Sequence, residues 1–263
     1  MFKNMTGKDK RLHYIVFHPD KGREQINVQA TVMLGNQIDD NWTGKIYVDK
    51  VNNHLSPETS KNEDPFVFST PWLYSYCHAS QLRRKHRPDG MYLRQDSIIF
   101  FVSGEHSDDD ILTVDTVFVV DQGLTWKKDG NRLPEKYIDQ YGKSDSPLWS
   151  RHFQFPFKGI HKSVTHTYEA KLWNGENSAF SFLPINRNGD RVSIPFNRLS
   201  CEFSKKITKK RKGKYPLYLD SADLLELEAK IGEQVFTRVL KEIRVSDKSY
   251  SVIENIPSFS NGK

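Results

Sequence analysis

The sequence predicts an α+β protein with a mostly antiparallel, β-barrel-like core and a C-terminal helical segment. Three observations carry that reading. Runs of β-branched and aromatic residues bounded by Gly, Pro, Asn or Asp recur through the first half of the chain. Two hairpin turn sequences, WNGENS and NRNGD, join further runs later on. Sustained helical periodicity occurs once, in ADLLELEAKIGEQVFTRVLKEI.

Taken in order, residues 12–17, 27–34, 45–51 and 65–69 read as strands. In PWLYSYCHASQLRRKHRPD, residues 71–89, the spacing of Tyr74, Cys77, His78 and Leu82 predicts a short helix. SIIFFVSG is a nearly continuous apolar run, as expected of a strand buried on both faces, and ILTVDTVFVVDQG follows the polar loop EHSDDD. The pair predicts a central hairpin over residues 97–102 and 111–120. Residues 123–163, rich in Gly, Pro, Asp, Ser and Lys, read as one long irregular excursion. Strands resume at 165–173, 179–184 and 191–195. Asp220 or Ser221 is placed to cap the late helix, and Gly232 marks an expected break in it. The chain thus divides into a β-rich core with a basic aromatic segment (1–122), the excursion (123–163), and a part that completes the core and adds the helices (164–263). These form one structural unit.

At 263 residues and 37% hydrophobic, the chain can bury a substantial core, which excludes a disordered or fibrous protein. No run approaches the roughly 18 apolar residues of a membrane span, and MFKNMTGKDKR has no apolar stretch behind its basic residues. The expectation is a cytoplasmic protein with no membrane partner. Its two cysteines, Cys77 and Cys201, are read as reduced thiols.

Charge is the most informative quantity. The formal net charge is +6, yet eleven cations fall in two acid-free clusters: Arg83, Arg84, Lys85 and Arg87, then Lys205, Lys206, Lys209, Lys210, Arg211, Lys212 and Lys214. The other 28 cations face 33 acids, so the rest of the chain is about −5. Concentrated Lys and Arg release condensed counterions from a phosphate backbone, and the two clusters are the candidate phosphate contacts. The alternative is a solvated, solubilising charge run.

Trp72, Tyr74, Tyr76 and His78 directly precede the first cluster, so they are candidate base-binding residues, with core packing as the alternative. Asp115 interrupts the most apolar strand, and so is either exposed or enclosed beside a partner; enclosed, it is a candidate catalytic acid. Glu169-Ala-Lys171, with Asp145 upstream, has the acid-x-Lys spacing of some metal-dependent nucleases. The chain has two such triplets where roughly three arise by chance, so a strand edge accounts for it. Phosphate-binding, dinucleotide and nucleophile-elbow motifs are absent. His13 with His18 and His161 with His166 lack a third ligand at zinc-like spacing, so no metal and no cofactor is expected.

The order DGMYLRQDSIIFFVSG, a short acidic loop, then ILTVDTVFVVDQ, over residues 89–122, resembles the core of PUA-like barrels, including the ASCH-type readers of modified bases. Gln95-Asp96 stands where those barrels typically carry Gly-Asp. The resemblance implies a PUA-like barrel that captures a flipped or modified base, in a setting of nucleotide modification and antiviral defence in bacteria. In some relatives the captured base is also cleaved. The sequence reading is therefore a protein that binds nucleic acid, DNA rather than RNA. The alternatives are a DNA glycosylase using Asp115 and, third, a metal-dependent nuclease.

Overall fold

A computed structural model describes residues 11–18, 23–49, 65, 67, 70–74, 82, 93–104, 108–127, 164–176, 178–212 and 216–245. Its strands are β1 His13–His18, β2 Arg23–Leu34, β3 Gln37–Asp49, β4 Leu73–Tyr74, β5 Ile98–Ser103, β6 Ile111–Lys127, β7 Val164–Ala170, β8 Leu183–Ile185, β9 Val192–Pro195, β10 Leu217–Leu219 and β11 Thr237–Val245. Its α-helices are α1 Cys201–Arg211 and α2 Ser221–Gln234, and a 3₁₀ turn, Phe196–Arg198, precedes α1.

The α+β class holds, but the sheets are not closed into a barrel. The strands form a seven-stranded sheet in the order β10-β1-β5-β6-β7-β4, with β9 also on β6, and a four-stranded sheet in the order β3-β2-β11-β8. Pairing is antiparallel except between β1 and β5. Alternation along the central strands sorts the core into two layers. Ile98, Phe100, Val102, Val117 and Val119 pack with Phe203 and Ile207 of α1 and Leu224, Leu227 and Ile231 of α2. Ile99, Phe101, Phe118 and Val120 pack with Ile26, Val28, Val32, Ile46 and Val239 of the smaller sheet. The larger sheet is therefore a middle layer, buried on both faces, and every residue of β5 is buried as the run SIIFFVSG predicts.

Several boundaries depart from the sequence reading. Leu73 and Tyr74 are not helical; they pair with Glu169 and Tyr168 of β7. β6 runs on through residues 123–127, which the sequence assigns to the excursion, and pairs there with β7. Pro71, Trp72 and Leu82 are not helical either, and the remainder of the excursion and of the expected helix lies outside the described residues. The late helix passes Gly232 without breaking and ends at Gln234, after which Thr237–Val245 is a strand. Val235, Thr237, Val239, Ile243 and Val245 are β-branched, and Thr237 and Val239 pair with both β2 and β8, so sheet pairing outweighs the helical spacing. The basic segment from Lys205 to Arg211 is helix α1, whose start is capped by Ser200 accepting from the Phe203 N–H.

Candidate anion-binding groove

Helix pitch sorts the second basic cluster into three stripes. Phe203, Ile207 and Arg211 lie four residues apart and are buried. Lys206 faces the start of α2, where its Nζ donates to Asp223 Oδ2 at 2.8 Å and Asp220 Oδ2 at 3.1 Å. Those hydrogen bonds, the one to Asp223 foremost, push Lys206 up to about 12. The third stripe, Cys201, Ser204, Lys205, Thr208, Lys209 and Lys212, lines an open groove of about 720 Å³ with Pro195, Phe196, Asn197 and Leu199 as its apolar and polar floor and Asp110 on the rim. Lys205, Lys209 and Lys212 are exposed. Lys212 also meets Asp108 at 3.0 Å, and since both side chains are largely in solvent the pair is weak. Lys210 is half-buried outside the groove lining.

Arg211 corrects the sequence expectation. It is 2% exposed, donates through Nη1 and Nη2 to the carbonyls of Asp109 and Ile111, and stacks over Phe196 at 4.7 Å. Burial lowers its pKa below the usual guanidinium value. It fastens the start of β6 to α1 and is no phosphate contact. Lys214, Arg83, Arg84, Lys85 and Arg87 lie outside the described residues.

Of the candidate base-binding residues, Tyr76 and His78 also lie outside the described residues. Trp72 and Tyr74 are completely buried, which is the core alternative. Tyr74 packs edge-on to Phe101 at 4.7 Å and beside Tyr168 at 6.3 Å. The Tyr168 hydroxyl donates to the Leu82 carbonyl at 2.7 Å, and burial raises its pKa.

Asp115 is enclosed and partnered. Across β5 and β6 the register steps from Phe101↔Thr116 to Val102↔Val114, so Asp115 is the extra residue of a β-bulge. Its Oδ2 accepts from Ser103 Oγ at 2.6 Å and its Oδ1 from Arg191 Nη1 at 3.2 Å, while Arg191 Nη1 also reaches Ser103 Oγ at 2.8 Å. The Tyr47 hydroxyl donates to the Asp115 carbonyl at 2.6 Å. A bulge in the apolar strand thus turns one acid into a neutralised internal tie. Arg191 and Ser103 carry no sequence signal as its partners, because they are 76 and 12 residues away.

Glu169 accepts from Gln122 Nε2, and Lys171 pairs with Asp96 at 2.7 Å, so the acid-x-Lys side chains serve different partners. Asp145 lies outside the described residues, among which no group of three His, Cys, Asp or Glu could hold a metal ion. Among the described residues no helix is long and apolar enough to cross a membrane. Comparison of the chain with protein-family models, with curated proteins and with solved structures finds no match.

Proposed function

We propose that this protein binds nucleic acid, DNA in the first place, by laying the phosphate backbone along the exposed stripe of α1. One observation carries the reading: Lys205, Lys209 and Lys212 lie together on the face that lines an open groove, while Lys206 and Arg211 of the same helix are engaged internally. Ammonium groups on one helix stripe suit sequence-independent phosphate contact. Pro195, Phe196 and Leu199 give the groove an apolar patch against which an unpaired or modified base can rest beside its phosphate. Trp72 and Tyr74 have no part in this reading. Nor does base excision by Asp115, whose carboxylate already balances Arg191.

Titrating labelled DNA at several salt concentrations tests it. Each phosphate contact contributes about 0.9 to the slope of log affinity against log salt on duplex, and about 0.7 on single strands. Replacing Lys205, Lys209 and Lys212 together by Gln lowers the duplex slope by about 2.7 and weakens all sequences alike. Lys206→Gln removes a cation of the same helix and leaves the slope unchanged. Equal slopes for the parent and the triple variant overturn the proposal.

A further inference from the structure

We propose that a second cavity, between α2 and the middle sheet, binds a small monocarboxylate with an apolar body. The cavity is about 140 Å³, lined by Phe100, Val117, Phe182, Ile231, Gly232, Glu228 and Arg238, and shares no residue with the groove on α1. An apolar protein cavity of about 150 Å³ accommodates a benzene-sized molecule.

Arg238 supplies the charge preference. Its guanidinium is half-buried, stacked 5.6 Å over the Phe182 ring, and among the described residues no carboxylate pairs with it. Burial alone lowers its pKa, without the opposing pull of a neighbouring acid. A guanidinium held partly out of water beside an apolar cavity favours an anion placed there. The small volume and mostly apolar lining suit a single carboxylate on an apolar body better than a phosphate dianion.

Gly232 supplies the opening. Glycine inside a helix costs about 1 kcal/mol relative to alanine. At this position a Cβ would meet nothing within 4 Å, and the backbone is not left-handed, so neither space nor geometry requires glycine. Its missing side chain leaves the exposed side of the cavity unobstructed.

Benzoate is the probe, followed by calorimetry or by NMR shifts on the full chain, with benzyl alcohol and benzylamine as neutral and cationic counterparts of the same size. Saturable binding of benzoate is expected, with both counterparts much weaker. Losing a charge-assisted hydrogen-bond pair corresponds to about a tenfold to hundredfold change, which is the weakening expected for Arg238→Met. Gly232→Leu improves helix propensity, so it folds, and it blocks benzoate. Arg238→Lys retains part of the affinity. No saturable benzoate binding to the parent, equal binding by Gly232→Leu, or a preference for benzylamine overturns the proposal.

Discussion

His13 shows how one buried residue makes the molecule sensitive to acid. Its Nδ1 accepts the Ile98 N–H at 3.1 Å, an arrangement open only to neutral imidazole. Burial first, and then the nearby Arg11 charge, lowers its pKa from 6.5 to about 4. Between those two values the unfolded chain binds a proton that the folded one refuses, so the stabilisation is complete above 6.5 and is lost as pH falls toward 4. From pH 7 to pH 5 this amounts to about 2 kcal/mol. Urea unfolding at the two pH values should show that loss in the parent and a smaller one in His13→Asn, whose side-chain oxygen can still accept from Ile98. Asp115 gives the second expectation at this scale. Truncating one partner of a buried pair strands the other, so Asp115→Ala should cost about 3 kcal/mol, read as a lower denaturant midpoint at unchanged slope. Asp115→Asn, which keeps an acceptor for Ser103, should cost less.

Among the elements, the β2–β3 hairpin has an internal constraint that composition does not show. Gly44 lies opposite Val28, and a Cβ there would come within 2.0 Å of the Trp42 ring, which occupies the same face two residues earlier. Gly44→Ala must displace that ring, and overpacking of this kind costs about 1–3 kcal/mol, measurable as a lowered melting temperature. Helix α1 illustrates what was illegible. Its buried stripe has only Phe203, Ile207 and the stem of Arg211, so a run of lysines hides the periodicity; Ser200 and the four-residue spacing were the available signals. β5 was legible for the opposite reason, because a strand buried on both faces must be apolar throughout.

At the scale of the molecule, Tyr47 makes a polar contact between the two sheets. From β3 its hydroxyl donates to the Asp115 carbonyl of β6 at 2.6 Å, and the Pro184 carbonyl of β8, a strand of its own sheet, lies 3.2 Å away. Tyr47→Phe preserves the ring over which Arg191 sits at 5.6 Å but leaves a bulged carbonyl without that donor. A buried acceptor that loses its partner costs about 1–3 kcal/mol, so equilibrium unfolding should shift by that amount while remaining a single transition. Retention of full stability would show that water replaces the hydroxyl. Two cation systems also stand apart on this scale: the lysine stripe of α1 faces outward, whereas Arg191, Arg211 and Arg238 are drawn into the fold.

The sequence by itself determined the α+β class, the hairpin of β5 and β6 at the centre of the core, the start of the late helix at Asp220 or Ser221, and the concentration of positive charge. Each is written in local spacing or in composition, which a chain carries before it folds. Only tertiary structure decided that the sheets form stacked layers rather than a barrel, that Trp72 and Tyr74 lie in the core, and that Asp115 is neutralised by Arg191. It alone separated Lys205, Lys209 and Lys212 from Arg211 within one basic run. Those outcomes depend on which distant segment covers each face, and burial changes a side chain's role by removing water from it, a condition no local pattern encodes.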